Sequence, residues 1–357
     1  MATTITIKDI AKKLNLSPAT VSLALNGRPG VNKYTRENVL SLAHELNYSG
    51  NIGEHRTLKR RVQKNFENIG FLVYKRYGRV ITDSEFFTSL ISSVEQAARA
   101  KKYTILLTYC VGEKEVANTI KLIKSSNLVG LLILGTELDE GDAEFFYQLN
   151  LPIVILDCDI LGCKLDTVTI HNEDGIWRGM KYFYEQGHRE IGYLHSSFSI
   201  RNFEQRRLGY ENCLEKFCLD RDSQKIFMVE PTIEGTCADI CELINQGVKF
   251  PSAMIADNDL IALGAMKAFT QCGIKIPDDV SIIGFDNIPM CSLIEPQLTS
   301  VNVSCEALGD LAIRQLLRRK KNPDAIPRRI SINTNLNIRS SVRCLKQVSP
   351  NKNLKLL

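Results

Sequence analysis

Residues 6–48 decide how the N-terminal part of the chain folds, and they read TIKDIAKKLNLSPATVSLALNGRPGVNKYTRENVLSLAHELNY. Thr6, with Asp9 three residues later, has the pattern of a capping box at the start of a helix. Asn15 belongs to the few residue types that enter a left-handed turn at low cost, and Ser17 is a favoured N-cap for a second helix. The stretch therefore predicts three short amphipathic helices, the first two joined by a tight turn.

Positive charge is concentrated near the N-terminus. The formal net charge of the chain is +5, yet residues 1–65 hold 11 Lys and Arg against 4 Asp and Glu, a local net charge of +7. A basic segment on a nearly neutral remainder is typical of a protein that meets a polyanion. A solvated charged face explains the charge equally well, and three helices alone could also form a protein-binding bundle.

A resemblance decides between these readings. Residues 6–48 resemble, almost end to end and without gaps, the DNA-binding head of the lactose/galactose repressor (LacI/GalR) family of bacterial transcription regulators. The resemblance implies a helix-turn-helix that offers its second helix to the major groove. It implies phosphate-binding or helix-steadying roles for a set of polar residues, namely Thr6, Ser17, Thr20, Ser22, Asn26, Asn32 and Thr35. It also places Pro18, Ala19 and Leu23 against base edges.

Leu23 departs from the family pattern, in which Arg often stands at this position. None of the three side chains at the base edges can make a bidentate hydrogen bond to a base. We therefore expect the choice of operator to depend on apolar contact with thymine methyl groups, on Ser22, and on the deformability of the DNA.

Residues 49–66 have the composition of a linker, with two glycines and five Lys and Arg between Arg56 and Lys64. In the family this segment forms a short helix on the operator, and a leucine from each subunit of a dimer wedges into the minor groove. Leu58 is the matching residue, although Gly50 stands where the family usually has Pro. The alternative is a solvated basic linker that only touches phosphates.

From residue 69 onward, short apolar runs alternate with stretches of helical period. Ten runs are rich in Val, Ile and Leu and mostly continuous, as in strands buried on both faces of a parallel sheet. They cover residues 69–73, 104–110, 129–135, 151–158, 167–170, 190–195, 226–229, 253–257, 280–286 and 299–303. Ten strands exceed one typical sheet, so the pattern predicts an α/β fold with two Rossmann-like subdomains.

Residues 69–341 resemble the effector-binding domain of the same family, which is of periplasmic-binding-protein type. The runs SEFFTSLISSVEQAA (84–98) and IPDDVSIIGFDNIP (276–289) are among those that carry the resemblance. We expect a helix-turn-helix domain at 1–48, a hinge at 49–66, an effector-binding and dimerisation domain at 67–345, and a tail at 346–357. Within the large domain we expect an N-terminal subdomain at about 67–166 and 301–326 and a C-terminal subdomain at about 167–300 and 327–342.

Polar side chains follow several predicted strands at their carboxyl ends, where open parallel sheets bind ligands. Carboxylates and amides suit the hydroxyl groups of a sugar or the edge of a nucleobase, and aromatic rings cover a ring face. With the family positions, the predicted effector-binding residues are Phe86, Phe87, Asp157, Arg206, Asn258 and Asp286. As alternatives, Asn258 and Asp259 could simply cap the next helix, and Asp286 could form a structural ion pair with Arg206.

The roles of three further features are not decided by the sequence. Residues 74–82 are an extra basic and aromatic loop relative to the family, which borders either the cleft or the dimer face. The 11 cysteines form no C-x-x-C and lie mostly in apolar runs, which predicts buried structural thiols; a redox role or a metal site is the alternative. His171 and His188 have no partner at metal-ligand spacing and are interpreted as structural.

The predicted function is a transcription repressor that binds operator DNA as a homodimer under the control of a small-molecule effector, a sugar or else a purine-like compound. An enzyme is not expected, because the chain has no G-x-S-x-G, no Walker loop and no Rossmann glycine fingerprint. A transport-type sugar-binding protein is the alternative, but the N-terminus MATTITIKDIAKK lacks the apolar core of a signal peptide. We expect a cytoplasmic protein with no membrane span, no cofactor and no metal.

Overall fold

The structure, a computed structural model, describes residues 5–26, 28–46, 48, 66–78, 80–81, 84–220 and 225–345. The chain divides into two units, the first ending at Phe66 and the second beginning at Glu67. Leu58, the residue predicted to wedge into the minor groove, lies outside the described residues. Within the described part, no helix combines the length and apolar character that crossing a membrane requires.

The first unit contains the three predicted helices, α1 (Ile7–Leu14), α2 (Pro18–Leu25) and α3 (Lys33–Glu45). The carboxylate of Asp9 accepts hydrogen bonds from the backbone nitrogen of Thr6 at 2.8 Å and from its Oγ1 at 2.6 Å. Asn15 adopts the left-handed conformation, with φ of 53°. The Oγ of Ser17 accepts from the backbone nitrogen of Thr20 at 3.0 Å, which starts α2.

A small core holds these helices together. Its buried members come from all three helices: Ile10, Ala11, Val21, Ala24, Leu25, Val39 and Ala43. Because each helix buries one apolar stripe and exposes the rest, three helices of this length form a unit with its own core.

The second unit contains two sheets in alternating β and α order. The first sheet is built from β1 (Glu67–Lys75), β2 (Tyr103–Val111), β3 (Leu128–Leu134), β4 (Ile153–Leu156), β5 (Asp166–Ile170) and β11 (Arg329–Ile332). The second is built from β6 (Ile191–Ser196), β7 (Ile226–Val229), β8 (Ala253–Ala256), β9 (Ser281–Asp286), β10 (Thr299–Asn302) and β12 (Asn335–Asn337). The helices are α4 (Glu85–Ala100), α5 (Glu113–Ser125), α6 (Glu140–Glu144), α7 (Asn172–Glu185), α8 (Arg201–Lys216), α9 (Ile233–Asn245), α10 (Asp259–Gln271) and α11 (Cys305–Lys321).

The two sheets have the same topology. Their strand orders are β2-β1-β3-β4-β5-β11 and β7-β6-β8-β9-β10-β12, and all pairings are parallel except that of β10 with β12. The strand order reverses between β1 and β3 in one sheet and between β6 and β8 in the other. Ligands of such folds bind beyond the carboxyl ends of the strands at these switch points. The ten predicted strands and the predicted α/β class with two Rossmann-like subdomains are confirmed.

The predicted subdomain boundaries need correction at all three crossings. β5 was assigned to the C-terminal subdomain from residue 167, but it pairs with β4 in the first sheet. Residues 301 and 302 were assigned to the N-terminal subdomain, but they belong to β10, which pairs with β9 in the second sheet. β11 was assigned to the C-terminal subdomain, but it pairs with β5. Strand pairing decides each case, and the apolar pattern of a single strand does not show which sheet it joins.

Asp166 stabilises one of the places where the chain crosses between the two subdomains. Its buried carboxylate accepts from Gln315 Nε2 at 2.8 Å, from Arg319 Nε at 2.6 Å and from the backbone nitrogen of Arg328 at 2.7 Å. These contacts join β5, helix α11 and the segment that leads into β11.

Candidate functional site

The exposed surface of the first unit includes part of the predicted DNA-reading face. Pro18 and Ala19 are exposed, whereas Ser22 and Leu23 are half-buried. Of the predicted phosphate contacts, the exposed ones are Thr6, Ser17, Asn26 and Asn32, and Thr20 and Thr35 are half-buried. Several already hold their helices, since Asn32 Oδ1 accepts from the backbone nitrogen of Thr35 and Ser17 Oγ lies 2.8 Å from Thr20 Oγ1.

Leu23 differs from the other leucines of this unit. The partly buried hydrophobic residues that pack against the core include Leu14, Leu16, Leu40, Leu42 and Leu46 but not Leu23. Leu23 therefore presents apolar surface beside the exposed Pro18 and Ala19 without contributing to that core. This placement leaves it available for an apolar contact outside the unit.

In the second unit, the six predicted effector residues line one cavity. Phe86, Phe87, Asp157, Arg206, Asn258 and Asp286 surround it together with Val80, Ser84, Thr136, Ile200, Asn202 and Phe203. We call this the inner cavity. Its volume is about 20 Å³, which is room for about one water molecule. The side chains of the two subdomains therefore close on each other here.

Arg206 forms the floor of the inner cavity. The side chain is buried, and its Nε donates to Asn172 Oδ1 at 2.9 Å while another of its nitrogens donates to the carbonyl oxygen of Asp257. Its guanidinium lies 3.7 Å from the ring centre of Phe285. The distance from its Nη2 to Asp286 Oδ1 is 3.6 Å. The ion pair considered as an alternative is therefore present, although it is loose and shares Arg206 with two shorter hydrogen bonds.

Asp157 forms the opposite wall, at the end of β4. Its backbone has φ of 62°, in the left-handed region that a non-glycine residue seldom adopts. The carboxylate accepts from Thr136 Oγ1 at 2.6 Å and from Asn202 Nδ2 at 3.2 Å. Asn202 Nδ2 also donates to the carbonyl oxygen of Asp157 at 3.0 Å, so helix α8 reaches across the cleft to the first sheet.

The helix-cap alternative holds for Asn258 but not for Asp259. Asn258 Oδ1 accepts from the backbone nitrogen of Ile261 at 3.0 Å and caps α10, and the same residue lines the inner cavity. The carboxylate of Asp259 instead accepts from Ser300 Oγ at 2.6 Å and from the backbone nitrogen of Ile288 at 2.9 Å. Asp259 therefore fixes the loop that follows β9.

Burial shifts the pKa values of these carboxyl groups upward. It raises the pKa of Asp157 from 3.8 to about 6, against smaller lowering effects of Thr136, Arg206 and Asn202. It raises the pKa of Asp259 to about 6 as well. The pKa of Asp286 is well above its usual range, because burial and the nearby carboxylates outweigh Arg206. A protonated carboxyl group both donates and accepts hydrogen bonds, as does each hydroxyl group of a sugar.

A further buried carboxylate contacts the surroundings of Arg206 and was not identified from the sequence. Asp257 accepts from Tyr193 Oη at 2.5 Å and from the backbone nitrogen of Ser196 at 2.7 Å, and lies 2.7 Å from His195 Nδ1. Burial lowers the pKa of His195, but the contacts with Asp257 and the charge of Glu204 outweigh it and raise the value. This network fixes the carbonyl oxygen that Arg206 contacts.

The extra loop borders the cleft. The carboxylate of Glu137, buried just after β3, accepts from the backbone nitrogens of Tyr77 at 2.8 Å, Gly78 at 2.9 Å, Val80 at 3.1 Å and Ile81 at 3.3 Å. Val80 lines the inner cavity. The described part of this loop therefore borders the cleft, and a position at the dimer face stays untested.

A larger pocket of about 480 Å³ adjoins the inner cavity at Ile200. We call it the outer pocket. Its charged lining residues are Arg76, Glu137, Asp139, Glu140, Asp159, Arg201 and Glu204. Arg76 forms ion pairs with Asp139 and, at 3.4 Å, with Asp142. The volume lies within the range of small-molecule sites, about 300–1,000 Å³.

Two of the missed residues carried a sequence signal. Thr136 lies two residues after β3, so the rule that placed Asp157 and Asp286 at strand ends also applies to it. Asn202 lies four residues before Arg206 in α8, a spacing that puts both side chains on one helix face. Glu137 carried no such signal, because its role depends on a loop 60 residues earlier in the chain.

His171 and His188, which the sequence predicts to be structural, make hydrogen-bonding contacts within the fold. His171 Nδ1 accepts from the backbone nitrogen of Asp174 at the start of α7. His188 is buried, with Nδ1 2.9 Å from Ser252 Oγ and Nε2 3.0 Å from the carbonyl oxygen of Arg343. Five of the cysteines are buried, Cys110, Cys158, Cys213, Cys237 and Cys291, whereas Cys218, Cys272 and Cys344 are exposed.

We predict that Asp157→Asn stabilises the protein in a pH-dependent manner. Because the folded-state pKa of Asp157 is raised from 3.8 to about 6, its contribution to stability is fully present below about pH 3.8 and is lost as the pH rises through 6. The variant cannot ionise. Its free energy of unfolding should match the wild type near pH 4 and exceed it by up to about 3 kcal/mol at pH 7.5.

Calorimetric melting of both full-length proteins from pH 4 to 8 measures this difference. Asp310→Asn is the control, since the side chain of Asp310 on α11 is 40% exposed and pairs with Arg314 in the next turn; its difference from wild type should not grow with pH. Parallel pH profiles for wild type and Asp157→Asn would show that Asp157 is already ionised at low pH in the folded protein.

Comparison with known proteins identifies the family to which the chain belongs. Residues 6–51 match the model described as bacterial regulatory proteins, lacI family, and residues 180–342 match the periplasmic binding protein-like domain. The chain is 29% identical over 343 residues to the ribose operon repressor of Haemophilus influenzae, covering 96% of this chain and 99% of the relative. It is 30% identical over 349 residues to the transcriptional repressor PurR of the same species, covering 95% and 99%.

A solved structure, described as the lac repressor dimer bound to operator and the anti-inducer ONPF, superposes with a TM-score of 0.68 at 22% identity, covering 96% of this chain and 100% of that one. This likeness confirms the predicted fold. The relatives are repressors, which confirms the predicted DNA-binding transcription repressor and goes against both an enzyme and a transport-type binding protein. The chain belongs to the LacI family of bacterial regulatory proteins.

Proposed function

We propose that the protein is a homodimeric repressor whose affinity for its operator is controlled by an uncharged sugar. The sugar binds between the two sheets of the second unit. The observation that carries the proposal is the convergence of the six predicted effector residues on the inner cavity. The relatives support a small-molecule effector, since one is named for the ribose operon.

The charge of the cleft favours an uncharged effector. The inner cavity and the outer pocket are lined by seven carboxyl groups, those of Glu137, Asp139, Glu140, Asp157, Asp159, Glu204 and Asp286. Three guanidinium groups face them, those of Arg76, Arg201 and Arg206. An anionic ligand such as a sugar phosphate or a sugar acid would meet like charge, whereas hydroxyl groups can donate to these carboxylates.

Binding requires the cleft to open. A cavity of about 20 Å³ cannot admit a sugar, so the two subdomains must separate at their three crossings before the ligand enters. Once inside, the ligand takes the place of the direct contacts between the facing walls. The closed and open arrangements are two states, and the effector acts by binding one of them more tightly.

The effector prediction is tested by thermal shift. Full-length protein is screened against neutral sugars, amino sugars, sugar acids, sugar phosphates and nucleobases. We expect a neutral sugar to raise the melting temperature, because a ligand of the folded state stabilises it. Asp286→Ala should weaken the binding of that sugar about tenfold or more, because a buried hydroxyl group left without its hydrogen-bond partner costs about 1–3 kcal/mol.

Asp310→Ala on α11 is the control, because Asp310 lines neither the inner cavity nor the outer pocket; it should bind as the wild type does. A shift caused only by nucleobases or by anionic sugars would contradict the proposal of an uncharged sugar. It would leave the repressor function intact, because DNA binding is measured separately.

Operator contact through α2 is the second part of the proposal. Pro18, Ala19 and Leu23 form an apolar reading face, and the polar residues around them grip phosphates. We predict that Leu23→Ala changes base preference in a selection from random duplexes, most at thymine positions. Affinity of the wild type should fall steeply with salt, as expected for phosphate contacts.

Leu40→Ala is the matched control. Leu40 is also half-buried, but it packs against the core of the first unit. Its truncation should lower stability and leave base preference unchanged. An unchanged preference in Leu23→Ala would show that Leu23 does not read the operator.

Dimerisation is proposed to use two edge strands. β2 and β7 each end their sheet on the side away from the strands that cross between subdomains. Leu107, Tyr109 and Val111 alternate along β2 with exposed fractions of 42%, 50% and 52%, and Met228 on β7 is 55% exposed. An exposed apolar edge strand favours pairing with another chain, because its backbone groups and apolar side chains are not covered. A second copy of the chain covers them in a twofold arrangement, which suits a palindromic operator.

We predict that Tyr109→Asp disrupts this dimer. Twofold symmetry places the introduced charge in the interface twice, so the dimer dissociation constant should rise about a hundredfold or more. Sedimentation velocity measures the change. Leu293→Asp is the control, because Leu293 is 82% exposed and lies outside both edges. A dimeric Tyr109→Asp would place the interface elsewhere.

A further inference from the structure

Two cysteines of the second subdomain lie side by side on neighbouring helices. Cys241 is in α9, and Cys272 is the C-cap of α10. Their sulfur atoms are 3.9 Å apart. They lie 31 residues apart in the sequence, so the contact arises from the packing of α9 against α10.

The local environment suits a reactive pair. Cys272 is exposed and Cys241 is half-buried. The side chain of Gln271 contacts the same cluster, since its Oε1 accepts from Cys237 Sγ at 3.4 Å and from Cys241 Sγ at 3.8 Å. A reagent in solution therefore reaches Cys272 first, and the thiol of Cys241 is the neighbouring group that can react next.

We propose that Cys241 and Cys272 form a redox modification site that closes to an intramolecular disulfide by exchange with a low-molecular-weight disulfide. The thiolate of Cys272 attacks the small disulfide, forms a mixed disulfide and releases one small thiol. The thiolate of Cys241 then attacks the sulfur of Cys272 and releases the second small thiol. The two protein thiols lose two electrons, which reduce the small disulfide to two thiols, and their two protons pass to the released thiolates.

Proximity favours the second step. A neighbouring thiol at contact distance acts as an intramolecular nucleophile at high effective concentration. The two sulfur atoms must approach by about 2 Å to reach the bond length of a disulfide. The exposed position of Cys272 at the end of its helix leaves space for this movement. Desolvation and the hydrogen bond to Cys241 raise the pKa of Cys272, so exchange should become faster as the pH increases above neutral.

The disulfide would join the C-terminal end of α10 to α9. The N-terminal end of α10 carries Asn258, which lines the inner cavity. Oxidation would thus restrain the helix that supplies one wall of the effector cleft. A cross-link that closes a loop in the unfolded chain also raises stability.

The test uses full-length protein, freed of reductant and equilibrated with oxidised glutathione at pH 8. Acid quenching, alkylation and mass spectrometry follow. We expect the loss of two hydrogen atoms, a cross-linked peptide pair containing Cys241 and Cys272, and a melting temperature higher by a few degrees. Reduction should reverse all three changes.

Serine variants separate the roles of the two thiols. C272S should show no cross-link, and C241S should stop at one glutathione attached to Cys272. C344S is the matched control, because Cys344 is another exposed thiol; it should form the cross-link like the wild type. Wild-type protein that accumulates glutathione on Cys272 without a cross-link, or that links a different pair, would overturn the proposal.

Discussion

The buried guanidinium of Arg206 is the interaction on which the effector cleft depends. It contacts Asn172 just beyond β5, the carbonyl oxygen of Asp257 just beyond β8, and Asp286 at the end of β9. These strands belong to both sheets, so one side chain ties the two subdomains together where their carboxyl ends meet. Burying a charge is costly unless it is paired and hydrogen-bonded. The polar residues of the cleft therefore surround Arg206.

Burial of several carboxyl groups follows from this arrangement. Burial raises the pKa of Asp157, Asp259 and Asp286, and for Asp286 the neighbouring carboxylates raise it further, against the lowering effect of Arg206. Perturbed carboxyl groups that cluster in a cleft are typical of functional sites. Burying these carboxyl groups costs free energy in the closed state without a ligand. A ligand that donates hydrogen bonds to them would offset this cost.

The sequence predicted the strands well because burial on both faces leaves a continuous apolar pattern. It missed β11 and β12, whose residues alternate between exposed and half-buried or are polar, as the run RISI at 329–332 illustrates. It also misplaced the crossings by a few residues, since membership of a sheet is a property of pairing. Asp157, Asn258 and Asp286 could be predicted because strand ends of a parallel sheet meet at one edge.

The contacts that could not be predicted are those made between distant segments. Glu137 collects four amide groups from a loop that the family pattern lacks, and nothing in the residues around Glu137 signals that loop. Four hydrogen bonds to one buried carboxylate fix the loop as firmly as regular secondary structure would, because each amide is satisfied and the charge is stabilised at the same time. The described part of the loop thus forms a wall of the outer pocket and of the inner cavity.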